Sequence, residues 1–230
     1  MSAYLDWTEK KSELAHALGN GCCGGSYEEG AIILCACISA MASLMWVKTN
    51  RTDGKRFAQI VTMFSDSQHD TKTISAPLLA QDNDDWKPRL NVSDKSFWYT
   101  GYIDKTESEV LALLGASPPS DCKKFIRKYS YANILYEDVR CGFVHTYSPT
   151  DRASIDDATR EIFDAGSSQI SYKNTPMQKG FRKIYFPLEW IAAVAKSVAR
   201  GMDSECARNN KHCFENVGLS TPTLWWLDGA

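Results

Sequence analysis

Residues Arg140-Cys141-Gly142-Phe143-Val144-His145-Thr146-Tyr147 place a fixed cation, an imidazole and a phenol within about two turns of a predicted helix. Arginine carries a planar, permanently charged fork suited to phosphate, and histidine is the side chain whose ordinary titration range lets it move protons near neutrality. One group that holds a phosphate beside one that transfers a proton is the equipment for phosphodiester chemistry. On a regular helix of ~3.6 residues per turn, Arg140 and Tyr147 share a face, as do Cys141 and His145, whereas Arg140 and His145 diverge by about 140°. Such a pair converges on one phosphate more easily from two chains than from one, unless Gly142 or the approach to Pro149 distorts the helix. Asp138 falls on the His145 face and is a candidate orienting carboxylate; the alternative is a solvated or helix-pairing charge. Lys123, Lys124, Arg127 and Lys128 put four cations at the start of the same predicted helix, placed to guide RNA or to form a solvated basic face.

The helix that carries these residues is expected to begin near Asp121 and to stop by Pro149, with Tyr131, Ile134, Leu135 and Val139 as its buried stripe. Upstream, the pattern predicts an amphipathic helix over 3–18 and a turn-rich stretch over 19–25. Ser26-Tyr27-Glu28-Glu29 then has the form of a capping box, opening a long apolar helix. Its uncharged run, 31–47, falls short of the roughly 20 apolar residues of a spanning helix and contains Ser39 and Ser43, so it reads as a core helix rather than a membrane segment. A third helix is predicted over 53–64, with Phe57, Ile60, Val61 and Phe64 on its core side. Residues 65–102 read as a long irregular insertion with one short strand near 74–80. After it come a short helix over 105–114 and, beyond the motif, a helix over about 154–163. A hairpin pairs 169–174 with 182–186, and Pro187 opens a helix whose buried spacing is Leu188, Ile191, Ala192, Ala195, Val198 and Ala199. The tail, 203–230, is weakly patterned, and its Trp225-Trp226-Leu227 reads as a hydrophobic clasp.

With 43% hydrophobic and 23% charged residues, the chain has an ordinary globular composition, which excludes a disordered protein. Its 230 residues are expected to form a single domain with its core over about 25–200. A formal net charge of −2 argues against a broad basic face for nonspecific duplex binding, while leaving room for a local phosphate site. The eight cysteines include Cys35, Cys37 and Cys141 inside predicted helices, and no basic-then-apolar leader opens the sequence, so reduced thiols in a cytoplasm are expected. Cys206, His212 and Cys213 cluster near the C-terminus, but no Cys-x2-Cys pair occurs, so no metal and no cofactor are expected.

The segment R-C-G-F-V-H-T-Y resembles the R-x4-6-H signature of HEPN domains, and more narrowly the R-x4-H-x-Y form of some HEPN toxins. The upstream AIILCACISAMASLMW is similar to the first long helix of that fold; only the eight-residue motif is specific. The resemblance implies a mainly α, up-and-down helical bundle, here with a small hairpin and the 65–102 insertion. It implies a homodimer through the 120–147 helix that forms a composite, metal-independent ribonuclease site. His145 would then activate the ribose 2′-hydroxyl or protonate the leaving oxygen, and Arg140 would hold the phosphate. The products would be a 2′,3′-cyclic phosphate and a 5′-hydroxyl. In the toxin branch the motif tyrosine, here Tyr147, is where a nucleotidyltransferase-type antitoxin attaches nucleotides. Cys141 departs from the polar residue that often follows the motif arginine in active members.

Two further readings follow from that departure. One is a non-catalytic HEPN-like module that binds a nucleotide, RNA or a protein. The other makes Cys141 a nucleophile activated by His145 on the same helical face, although no Gly-flanked turn accompanies it as an oxyanion hole.

Overall fold

Ser26 opens the central helix through the predicted capping box: its hydroxyl accepts the Glu28 amide at 3.2 Å, and the Glu29 carboxylate accepts the Ser26 amide at 2.8 Å. The structure, a computed structural model, describes residues 2–46, 52–90, 98–100, 103–113, 120–155, 169–174, 182–215, 217–219 and 225–228. In chain order the helices are α1 (Ala3–Gly19), α2 (Tyr27–Met45), α3 (Asp53–Phe64), α4 (Ala76–Asp82), α5 (Lys87–Leu90), α6 (Glu107–Ala112), α7 (Ser120–Arg127), α8 (Tyr131–Ile134), α9 (Cys141–Thr146) and α10 (Leu188–Arg208). The strands are β1 (Trp98–Thr100), β2 (Ser171–Asn174) and β3 (Arg182–Tyr185), so the fold is mainly helical as expected. Where the sequence suggests one domain, contacts divide the chain into two compact units, 1–71 with 188–227 and 72–187 with 228–230. Helical spacing marks which face of α10 is buried but not which helices bury it; that choice assigns α10 to the unit of the N-terminal helices.

In the first unit α1, α2 and α10 pack on one another, and α3 packs on α2 and α10. α2 buries Leu34, Ile38, Met41 and Met45; α3 buries Phe57, Ile60 and Val61, with Phe64 only half-buried; α10 buries all six residues that its spacing singles out. Each large apolar side chain removed from water in this way stabilises the unit by about 1.5–3 kcal/mol before entropy is counted. By length and composition α2 could cross a membrane, with 19 residues and a mean hydropathy of 1.6. Half of that stretch is buried in the core of this unit. A Cβ on Gly30 would meet the Ala15 carbonyl oxygen at 2.7 Å and the Leu188 Cδ1 at 2.9 Å, so only glycine lets α2 approach α1 this closely. Gly30→Ala is therefore expected to cost about 1–3 kcal/mol, read as a lower urea midpoint at unchanged slope. An unshifted midpoint would show that the contact yields. The tail does act as a clasp, with buried Trp225 edge-on to Trp46 at 5.1 Å and the Trp226 amide donating to Gln59 Oε1 at 2.7 Å.

The second unit revises the reading of 65–102 as irregular. Residues 76–82 form α4 instead of a strand, because Ser75 caps the Leu78 amide and Pro77 suits a first helical turn. Ile74 and Ser75 keep extended pairing, the Ile74 amide donating to the Lys105 carbonyl and the Ser75 amide to the Tyr129 carbonyl, each at 2.8 Å. The predicted hairpin is present, with Ser171 opposite Tyr185 and Asn174 opposite Arg182. β1 from the insertion widens it to a three-stranded antiparallel sheet in the order β1-β2-β3. Of the helix expected over 154–163, Ser154 and Ile155 are not helical and the remainder lies outside the described residues.

Between these elements the Tyr131 hydroxyl, the Tyr172 hydroxyl (2.5 Å) and the Ala76 amide (2.9 Å) converge on the Asp104 carboxylate. Burial pushes its pKa up to about 7, against the lowering effect of those hydrogen bonds. In an unfolded chain an aspartate titrates near ~3.9, so the folded state holds this proton more tightly. The group's stabilising contribution is thus full below about pH 4 and is lost as pH rises through about 7. Asp104→Asn is expected to flatten the fall in melting temperature across that window; an unchanged slope would assign the pH dependence to other groups.

Candidate functional site

The motif helix is interrupted where the sequence predicts continuity. The Tyr129 carbonyl accepts the Ser75 amide at 2.8 Å and the Tyr131 amide donates to the Thr73 carbonyl at 3.0 Å, so residues 128–130 leave the helix to pair with 73–75. Ser130 then caps the Asn133 amide and restarts the helix as α8. The four cations accordingly belong to α7 and its exit, on a separate element from Arg140. Arg127 makes a two-bonded ion pair with Glu107 (2.6 and 3.0 Å) and braces α7 against α6 rather than facing an RNA. Lys124 and Lys128 are exposed and Lys123 is half-buried. The predicted stripe, Tyr131, Ile134, Leu135 and Val139, is buried throughout.

A π-helical segment, Leu135–Arg140, joins α8 to α9 and so ends at the motif arginine. Such segments are rare and frequently occur at functional sites. Asp138, within it, does not orient His145. It is only 3% exposed, and Arg152 grips it with Nε at 3.1 Å from Oδ1 and Nη2 at 2.7 Å from Oδ2. The Thr150 hydroxyl also donates to Oδ1, and the Thr150 amide donates to the Asp138 carbonyl at 3.1 Å. A carboxylate this deep needs a counter-charge, and Arg152 supplies it from the returning chain. Arg152 also lies 3.7 Å from Asp82 and over the Tyr129 ring. Burial first, then Asp82, pushes the Tyr129 phenol up to about 12.

Gly142 is where that return passes closest. A Cβ there would meet the Ser148 carbonyl oxygen at 2.6 Å and the Pro149 Cα at 3.0 Å. The Thr146 hydroxyl lies 2.7 Å from the Gly142 carbonyl and 2.9 Å from the Ser148 carbonyl, and Tyr147 closes the helix in the left-handed region at φ 53°. Gly142 therefore admits the crossing chain and does not distort the helix, which stays α-helical from Cys141 to Thr146. The divergence of about 140° between Arg140 and His145 persists.

The outward side of this helix end carries the remaining motif residues. His145 is exposed, Val144 is 49% exposed and Tyr147 58%. Arg140 is half-buried, its guanidinium 5.2 Å over the Tyr136 ring and its Nη1 3.8 Å from Cys141 Sγ. Arg140, Cys141, His145 and Tyr147 thus share one helix end, with Asp138 turned inward behind them. All eight cysteines are free thiols. Among the described residues no three His, Cys, Asp or Glu side chains gather to hold a metal ion. Sequence reasoning missed Arg152 and Thr150, for which no local spacing gives a signal, and Tyr136, which the four-residue offset to Arg140 could have revealed. No protein-family model, curated protein or solved structure matches the chain.

Proposed function

We propose that the chain is a metal-independent endoribonuclease of HEPN type, a toxin or phage-defence effector of the cytoplasm. The observation that carries this reading is the exposure of His145 and Tyr147 beside a half-buried Arg140 on a single helix end, while Asp138 and Gly142 anchor that end from behind. An imidazole open to solvent can reach a ribose hydroxyl, and a guanidinium at the same helix end can hold the adjoining phosphate. Their angular divergence along the motif helix favours a homodimer through the 120–147 region, in which each site takes one group from each chain. The exposed apolar Val144 within the motif suits such a face. Tyr147 is accessible to an antitoxin that modifies its phenol.

Cleavage would proceed by attack of the 2′-hydroxyl on the phosphorus, with His145 moving the proton and Arg140 countering the charge that builds on the phosphate oxygens. The test is to incubate the full chain with mixed RNA in the presence of a chelator and to identify the new ends by mass spectrometry. Cyclic phosphate and 5′-hydroxyl ends are expected. Binding without new ends would favour the second reading, a non-catalytic module for RNA, a nucleotide or a protein. The placement of Arg140 over Tyr136 and beside Cys141 favours that alternative, because it occupies a face of the guanidinium.

A further inference from the structure

The unit formed by 1–71 and 188–227 contains a cleft of about 420 Å³ that the motif does not use. Its ionisable lining is His16, Asp66, His69, Glu189, Lys196 and Arg200. Glu189, Lys196 and Arg200 lie on one face of α10, and His16 pairs with Glu189 at 3.8 Å. At the centre Asp66 is saturated. Its Oδ1 accepts the Gln68 amide (3.0 Å), the His69 amide (2.8 Å) and the His69 ring at Nδ1 (2.9 Å), and its Oδ2 accepts the Ser197 hydroxyl (2.9 Å).

This arrangement sets the tautomer of the neutral His69 ring. Burial alone would raise the Asp66 pKa, but the hydrogen bonds from His69 and Ser197 outweigh it and hold the group below the usual carboxylate range. An ionised Asp66 accepts only, so Nδ1 carries the imidazole hydrogen and Nε2 is the acceptor of the neutral ring. Among the described residues Nε2 has no hydrogen-bond partner. The Trp190 ring at 6.4 Å helps to fix the imidazole plane. Asp66 is engaged by four donors and Glu189 Oε1 lies 3.8 Å from His16 Nδ1, while Lys196 and Arg200 bring two positive charges to the same cleft.

We propose that this cleft binds the phosphate group of a phosphate monoester, with Lys196 and Arg200 countering its charge and His69 Nε2 accepting its O–H. A phosphate monoester, whose second pKa lies near ~6, meets this set as its monoanion, which keeps both the negative oxygens and one hydroxyl. Sulfate has the same shape and charge range but no O–H at neutral pH, so it satisfies the two cations and leaves Nε2 unpaired.

Calorimetric titration of the full chain with inorganic phosphate, sulfate, adenosine 5′-monophosphate and adenosine tests this assignment. Phosphate and the monophosphate are expected to bind saturably, sulfate more weakly and adenosine not at all. The double substitution Lys196→Gln with Arg200→Gln is expected to weaken phosphate binding at least about tenfold, the size of one charge-assisted hydrogen bond. His69→Phe is expected to remove the preference for phosphate over sulfate while keeping binding to both. Circular dichroism confirms the fold of each variant, and the single Arg200→Gln change at an exposed position serves if the double variant does not fold. No saturable binding of phosphate or the monophosphate, equal affinity for sulfate, or unchanged binding in the lysine and arginine variants would overturn the proposal. These residues lie outside the motif, so the result is independent of the nuclease reading.

Discussion

His145→Ala is expected to lower RNA cleavage by about 100-fold or more, the range of a lost general acid or base. Arg140→Ala is expected to cost about 100- to 1000-fold, as removal of a donor to a developing oxyanion does. Neither loss should come from unfolding. His145 is exposed, and a surface change of this kind usually stays within about ±0.5 kcal/mol of the parent. Arg140 gives up its contact with the Tyr136 ring, worth about 0.5–1 kcal/mol at such a site. The measurement is single-turnover cleavage of a susceptible RNA, with thermal unfolding as the control.

Mixing the two inactive variants separates a composite site from a single-chain one. A mixed dimer holds one site that takes Arg140 from the His145→Ala chain and His145 from the Arg140→Ala chain. Activity should therefore return on mixing if each site draws on both chains. No recovery despite confirmed chain exchange would place both groups in one chain, where their separation around the motif helix demands another geometry. Full cleavage by both single variants would sink the HEPN-type site built on Arg140 and His145.

Arg152→Ala should have the largest effect on stability. It leaves the Asp138 carboxylate, 4% exposed, without its counter-charge, and removing one partner of such a pair costs about 3–5 kcal/mol. For a chain of this size that corresponds to a drop on the order of 10 °C in melting temperature. The damage should be local as well as global, because Asp138, Thr150 and Arg152 hold the 148–153 return against the motif helix. Adding Asp138→Asn to Arg152→Ala should recover part of the loss, since a neutral amide is less costly to bury than an unpaired charge. Equal stability of Arg152→Ala and the parent would mean that water reaches the carboxylate.

The local rules of the sequence determined much of this protein. The Ser26 capping box located the start of α2, and the Phe57, Ile60 and Val61 spacing located the core face of α3. The stripe from Tyr131 to Val139 identified the buried side of the motif helix, and Pro187 marked the start of α10. These signals act within one or two turns, so neighbouring residues suffice to express them. The spacing of Arg140, Cys141, His145 and Tyr147 likewise puts these four residues at one end of the motif helix.

Only the tertiary structure decided what depends on partners far along the chain. Ile74–Ala80 reads as a strand by composition, but Ser75 capping and the pairing of 73–75 with 105 and 129–131 turn most of it into α4 and break the motif helix at 128–130. Asp138 looks like a companion to His145 by helical period, yet a guanidinium fourteen residues later claims it. Periodicity states which side of an element is buried or charged; it carries no record of which distant group will arrive there. The fate of a buried charge is settled by that arrival, because a carboxylate removed from water must find its counter-ion wherever the chain brings one.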